Sequence, residues 1–363
     1  MMMMFEQIEN FYAVVEKTID KVKTIKKLQT IAHPIANVVI SGMGSSFCVA
    51  QLVYDIVYHY LKVPITVNNQ YTLPNFVNEH TLLIIISYSG DTDESIQVFK
   101  SGLQREAHII VITSGGGLQT LGHLHHKEIL LIPKGLLSRT ALGASLVYAL
   151  FCLDIYNLHK LIDGDNLMSQ LSNALFVVLD KEFSLHNGSL RKKAEAIASK
   201  IDEQKLTPII YAPTGYKGVC LRFCQQFNEN AKVFSFYQTI TEVNHNGIVP
   251  WESNEQKNLA ILFIRDDMVG SNFGIQENFT EEILKTYNGN QLFIIKPTGA
   301  GLLSRFLYLI RLADWISYYL AQNKGIDPVE VKAIDQIKGL LLKKRQPLED
   351  LNIPPMLPVL PML

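Results

Sequence analysis

The sequence predicts an α/β protein built from two parallel sheets, each flanked by helices on both faces. Three observations predict it. Short apolar runs end in glycine- or hydroxyl-rich turns: Val38-Val39-Ile40 before SGMGSS, TLLIIISYSG (Thr81 to Gly90) and HIIVITSGGG (His108 to Gly117). Stretches of helical period separate these runs, and apolar strands alternating with helices call for parallel crossovers. The pattern then returns in TPIIYAPTG (Thr207 to Gly215), NLAILFIRDD (Asn258 to Asp267) and QLFIIKPTG (Gln291 to Gly299). The second half thus reads as a copy of the first in architecture, though not in residues.

The elements follow in chain order. Phe5 to Ile31 carries Ile8, Phe11, Val15, Ile19 and Val22 at helical spacing with charges between, which predicts an amphipathic N-terminal helix or helix pair. The first strand and SGMGSS (Ser41 to Ser46) lead into helical period over Phe47 to Leu61. Strands at Ile65 to Asn69 and Glu128 to Pro133 complete the first sheet with the two runs named above. Ala141 to Ser199 is largely helical and joins the halves. In the second half, helical patterns at Gly218 to Gln226 and Thr280 to Tyr287 separate the strands. The expected organisation is an N-terminal helix plus first domain over residues 1–155, a helical connection over 156–199, a second domain over 200–345 and a proline-containing tail over 346–363. The apolar, proline-spaced end of that tail (Ile353 to Leu363) reads as an extended strap.

Composition narrows the function. At 363 residues with 48% hydrophobic and 18% charged residues, the chain has material for two buried cores and no case for disorder. Its 33 basic residues balance 34 acidic ones, which argues against a nucleic-acid coat or a polybasic membrane anchor. Ala36 to Tyr54 lacks charge but is interrupted by Gly42, Gly44, Ser45, Ser46 and Gln51, and Thr140 to Leu153 is too short to span a bilayer. Four cysteines do not make a disulfide framework, and the N-terminus has no basic leader before Glu6. A soluble cytoplasmic protein is expected.

Two turns carry the chemistry. GMGSSF (Gly42 to Phe47) lies between a strand and a helix, where doubly wound folds bind phosphate. Phe47 replaces the third glycine of a dinucleotide fingerprint, the next strand ends in Asn68-Asn69 without an acid for a ribose, and no Walker lysine is present. SYSGDTDES (Ser87 to Ser95) places the hydroxyls of Ser87, Ser89 and Thr92 on one turn opening a helix. Hydroxyls and free backbone N–H groups on adjacent strand ends suit a phosphate monoester. The histidines of GHLHHKE (His123, His125, His126) complete no metal pattern, and Cys220 and Cys224 read as buried apolar residues.

Taken in order, SGMGSS, SYSGDTDES, ITSGGG, LLSRTALG, FNENAK, EVNHNGIVPWE and IDPVEVKAIDQIK resemble the bifunctional phosphoglucose/phosphomannose isomerase family, whose members carry two SIS (sugar isomerase) domains. The matches run from Ser41 to Lys338. The resemblance implies that Gly44, Ser45 and Ser46, with Ser87, Ser89 and Thr92, hold the substrate phosphate. It implies Glu229 as catalytic base, Arg139 as stabiliser of the enediolate, and His245 and Lys338 for ring opening. It further implies a hexose 6-phosphate substrate, no metal or organic cofactor, and a homodimer in which His245 reaches the neighbouring subunit's site. Two positions depart from the family pattern: Phe47 in the first turn, and Ser138, where a proline is usual before Arg139.

The residue types fit that chemistry. Aldose–ketose isomerisation removes a proton from C2 and returns one to C1, which a single carboxylate can do through a cis-enediol. Ring opening needs a second acid/base group, and histidine titrates near neutrality. His245 stands between Asn244 and Asn246 in a polar segment broken by Gly247 and Pro250, which does not suit core filling. A SIS isomerase of another sugar phosphate, or a non-catalytic SIS module sensing one, remains open on sequence alone.

Overall fold

Among the described residues the apolar runs form eight strands, which one further edge strand completes into two sheets, because β-branched residues buried on both faces suit the interior of a parallel sheet. The computed structural model describes residues 3–159, 166–183, 189–253, 256, 258–268, 271–288 and 291–344. The first sheet holds β1 (Asn37–Gly42), β2 (Ile65–Asn68), β3 (Thr81–Ile86), β4 (His108–Thr113) and β5 (Glu128–Leu131), all parallel, in the order β2-β1-β3-β4-β5. The second holds β6 (Thr207–Ala212), β7 (Phe236–Thr239), β8 (Leu259–Ile264) and β9 (Leu292–Ile295), also parallel, in the order β7-β6-β8-β9. The first four strands of one sheet and the four of the other are therefore wound alike. Of these strands, edge strand β7 is the one that the sequence does not announce; helix Leu302–Asn323 and the two π-helical turns described below are further elements outside the expected set.

Side chains alternate across each sheet. Val38, Ile40, Leu82, Ile84 and Ile110 from the first sheet share one continuous core with Ile210, Ala212, Leu262 and Ile264 from the second. Val39, Leu83, Ile85 and Val111 turn to the other face of the first sheet and form a separate core there. Tyr211, Ile261 and Phe263 do the same on the second. Helix Leu142–Ile155 is buried along nearly its whole length, as its uninterrupted apolar sequence requires, and so is most of helix Leu302–Asn323. Helices Leu167–Phe183 and Ser189–Glu203 make up the connection between the sheets. Met1–Val329 forms one compact unit; Glu330–Leu363, with helix Lys332–Lys344, forms a second. The tail read as a strap, Ile353 to Leu363, lies outside the described residues. Among those residues no helix is long and apolar enough to cross a membrane.

In sheets wound this way, ligands bind beyond the carboxyl ends of the strands where the winding reverses. In the first sheet that point lies between β1 and β3, so the crevice is bounded by the turns after Gly42 and Ile86. In the second it lies between β6 and β8, and protein groups fill it. Asp266, 2% exposed, follows β8 and accepts hydrogen bonds from Arg305 Nε (2.7 Å), from the Met268 amide (3.0 Å) and from the Tyr216 hydroxyl. Arg305 in turn donates to the Ala300 carbonyl at 2.8 Å.

Candidate active site

The first turn is built by close approach. A Cβ on Gly42 would stand 2.8 Å from the Cβ of Ser46, so only glycine lets the chain double back into the helix. Gly44, with φ +53° and ψ −122°, occupies a conformation that side-chain-bearing residues rarely adopt. Helix Ser45–Val57 starts there without a side-chain cap, and Ser45 and Ser46 are both 7% exposed. The backbone N–H groups of Ser45 and Phe47 donate no hydrogen bond among the described residues. Two directed donors at a helix start and two hydroxyls therefore border the crevice.

The second turn faces it from β3. Ser87 Oγ donates to Thr92 Oγ1 at 3.1 Å, and Ser89 Oγ accepts from the Asp91 amide at 3.3 Å. Thr92 precedes helix Asp93–Gln104 and makes no side-chain cap, which leaves the first turn of a second helix open. The SGGG turn after β4 braces this loop. Gly90 and Gly116 have φ of +72° and +70°, and a Cβ on either would collide with the carbonyl of Gly115 or of Ser89. The Gly117 amide donates to Asp91 Oδ1 at 2.8 Å and the Leu118 amide to the Gly90 carbonyl at 2.9 Å.

The second half supplies a carboxylate. Helix Lys217–Gln226 runs into a π-helical turn, Phe227–Ala231, that carries Glu229. Such turns recur at functional sites, because the wider ring re-aims side chains that an α-helix would send elsewhere. Glu229 Oε2 accepts from Arg139 Nη1 at 3.2 Å, with the arginine side chain 4% and the glutamate 24% exposed. Arg139 is held from three further directions: Nε donates to Asn230 Oδ1 (2.8 Å), and Nη2 to the carbonyls of Pro328 (2.5 Å) and Val329 (3.1 Å). Burial lowers its pKa, with Glu229 opposing the shift, and a guanidinium still stays charged.

Residues that the sequence reading passed over hold this pair. Asn230 Nδ2 donates to Ser317 Oγ at 2.9 Å, and Ser317 Oγ donates to the Asp314 carbonyl at 2.9 Å. The Asp314 carboxylate accepts from Arg222, Gln226 and Arg311, and Arg311 also donates to Glu182. Lys232, in the left-handed region at φ +53°, ends the π turn and donates from Nζ to the carbonyls of Glu229 (2.8 Å) and Asp327 (2.7 Å). The buried Arg139 guanidinium and the half-buried Glu229 carboxylate thus rest on a connected polar network, the condition under which buried charge is tolerated.

His245 lies on a second π-helical turn, Val243–Gly247, which follows edge strand β7. Its neighbours are tethered: Asn244 Oδ1 accepts from Thr280 Oγ1 at 2.7 Å, and Asn246 Oδ1 from Gln238 Nε2 at 3.0 Å. His245 itself is exposed and makes no hydrogen bond among the described residues. Lys338 sits exposed on helix Lys332–Lys344 of the second unit. Of the anticipated residues, the structure joins Arg139 to Glu229 and Ser87 to Thr92 by direct contact. Gly44, Ser45 and Ser46 flank the same crevice as Ser87, Ser89 and Thr92. His245 touches none of them.

The sequence and the fold have counterparts in known proteins. Residues 190–341 match the family described as bacterial phospho-glucose isomerase C-terminal SIS domain. The bifunctional phosphoglucose/phosphomannose isomerase of Thermoplasma volcanium is 31% identical over 304 residues, covering 83% of this chain and 90% of that protein. The chain belongs to the bifunctional phosphoglucose/phosphomannose isomerase family. Another member, from Caldicellulosiruptor bescii, is 31% identical over 93% of this chain and 98% of its own length. The D-glucosamine-6-phosphate 4-epimerase of Sulfolobus acidocaldarius is 25% identical over 72% of this chain and 76% of its own. Among solved structures, the C-terminal domain of glucosamine-fructose-6-phosphate aminotransferase from Francisella tularensis shares the fold, with TM-score 0.70 at 14% identity over 89% of this chain and 96% of that one. This family member is accordingly an isomerase with the fold of SIS proteins.

Proposed function

We propose that this enzyme interconverts glucose 6-phosphate and mannose 6-phosphate with fructose 6-phosphate, with Glu229 as the base. The observation that carries the reading is the half-buried Glu229 carboxylate held 3.2 Å from an Arg139 guanidinium that four partners fix in place. The substrate phosphate lies on the turns of Gly44, Ser45, Ser46, Ser87, Ser89 and Thr92. Glu229 takes the C2 proton of the open aldose, and the C2 electron pair becomes the double bond of a cis-enediolate. Arg139 stabilises the oxyanion as it forms, with the charge already oriented before reaction. A proton passes from O2 to O1, and the same carboxyl then protonates C1, as the O2 electron pair forms the C2 carbonyl, to give the ketose. In the reverse direction C2 is trigonal in the enediol, so the face that receives the proton decides between the glucose and mannose configurations.

His245 and Lys338 move the proton between O5 and O1 on ring opening. We take His245 to come from the partner subunit of a homodimer; support comes from its exposure and from its making no hydrogen bond among the described residues of its own protomer. Four free, buried cysteines support a cytoplasmic setting. The test is to incubate fructose 6-phosphate with the enzyme and a chelator in deuterium oxide. Glucose 6-phosphate and mannose 6-phosphate deuterated at C2 are expected, and Glu229→Gln should abolish both. Binding without aldose formation would leave a sensor instead. Turnover confined to an amino sugar phosphate would favour the reading suggested by the epimerase relative.

A further inference from the structure

The isomerase reading requires the phosphate turn and the base to keep a fixed separation, although they come from different halves of the chain. Helices Ser45–Val57 and Lys217–Gln226 lie against each other. Gly218 packs so closely on Leu52 that an added Cβ would stand 2.7 Å from the Leu52 amide nitrogen. The Gly218 amide donates to Asp55 Oδ2 at 2.6 Å, and Cys48 Sγ donates to the Gly218 carbonyl at 3.3 Å. One helical stretch further on, Gln225 Nε2 donates to the Gly44 carbonyl at 3.0 Å. The second helix therefore heads back to the start of the first, and its last turn meets the phosphate turn just before the π turn that carries Glu229.

The Gly44 carbonyl also accepts the first intrahelical bond, from the Cys48 amide at 3.0 Å. In a trans peptide the carbonyl and the following N–H point in opposite directions. Fixing the Gly44 oxygen towards Gln225 and Cys48 thus fixes the Ser45 N–H pointing away from them. That N–H is one of the two uncommitted donors at this turn. The amide orientation of Gln225 is decided by its partner, since only the NH2 end can donate to a carbonyl. Its Oε1 is buried and accepts no hydrogen bond among the described residues. The side chain consequently braces nothing else by hydrogen bonding.

We propose that Gln225 is a positioning residue that locks the Gly44–Ser45 peptide, and with it the phosphate donors, to the turn carrying Glu229. The inference rests on the phosphate assignment above. Its test is calorimetric titration of the full-length wild type and of Gln225→Met and Gln225→Glu with fructose 6-phosphate and with inorganic phosphate, alongside steady-state kinetics. Methionine keeps the length and removes the donor. Loss of one such hydrogen bond should weaken both ligands, and raise KM, by roughly 3–10-fold, with kcat changed less. The thermal midpoint should move by less than about 4 °C. Glutamate sets an anion against the Gly44 carbonyl and should weaken binding further at neutral pH. Its deficit relative to wild type should shrink on acidification, as the protonated carboxyl regains a donor; the ratio to wild type cancels the titration of phosphate itself. Equal affinities in all three proteins would overturn the role of Gln225 and leave the phosphate site intact. A wild type that binds neither ligand would overturn both. Lost stability together with a uniform fall in kcat and affinity would make Gln225 a packing residue and overturn the proposal.

Discussion

Asp55 stands where helices Ser45–Val57 and Lys217–Gln226 meet, and replacing it with asparagine has a calculable consequence. The side chain is 7% exposed, accepts from the Gly218 amide at 2.6 Å and from Gln51 Nε2 at 2.8 Å, and has no salt-bridge partner among the described residues. Burial pushes its pKa up to about 7, against the opposing pull of those two donors and of Lys217. An acid whose pKa is raised on folding binds its proton more tightly in the native state. Its stabilising contribution is therefore complete below the unfolded value, near 3.8, and is lost as pH rises through about 7. For those two values, linkage gives a loss of about 2 kcal/mol between roughly pH 5.5 and pH 8.5. The Asp55→Asn side chain keeps an acceptor for the Gly218 amide and cannot ionise, once the Gln51 amide turns its oxygen towards the new NH2. Urea unfolding at both pH values measures the effect as a double difference. Glu277, also pushed up to about 7 by burial, contributes equally to both proteins and cancels. Wild type should lose about 2 kcal/mol more than Asp55→Asn over that range. An equal pH response in the two proteins would show that Asp55 is ionised across the range and would refute the argument.

Three further outcomes are expected. Arg139→Lys keeps the charge but cannot reproduce four directed contacts with Glu229, Asn230, Pro328 and Val329, so kcat should fall by roughly 10²–10³-fold with a smaller change in KM. Ser89→Ala or Thr92→Ala should weaken hexose 6-phosphate binding by roughly 1–3 kcal/mol, as read by calorimetry; unchanged affinity in both would move the phosphate elsewhere. Mixing inactive Glu229→Gln and His245→Ala protomers should restore activity, because one of the two sites in a mixed dimer then has neither defect. A mixed dimer that forms and stays inactive would remove His245 from the partner's site.

Much of the fold was legible because parallel strands are written as short apolar or β-branched runs, and eight of the nine described strands fall within such runs. β7 was not, for a physical reason: Phe236–Thr239 is a four-residue edge strand, exposed or half-buried at each position, and FYQT has no apolar run to detect. The two hydroxyl turns were legible because glycines and hydroxyls concentrate locally. The support of Arg139 was not, because its partners lie about 90 and 190 positions along the chain and meet it only on folding. Neither π turn has a periodic signature, since one widened turn is too short to shift the helical pattern around it. Arg222, Arg311, Asp314 and Glu182 carry no mark in the sequence that separates a buried network from a solvated face.

The ion pair of Asp266 and Arg305 bears on stoichiometry. Duplicating a sheet with a reversal in its winding duplicates the crevice as well, so such a chain begins with two potential ligand seats. Here the second seat is occupied by the protein's own charges: the arginine stands where an anion's counter-charge would, and the aspartate neutralises it while the Tyr216 hydroxyl takes up part of the remaining hydrogen-bonding capacity. An incoming phosphate would have to displace a buried carboxylate from its guanidinium, leaving a desolvated anion behind. Titration with a hexose 6-phosphate should accordingly saturate at about one equivalent per chain, despite two sheets of matching order. On the proposed function, the second half would serve the seat of the first by supplying Glu229.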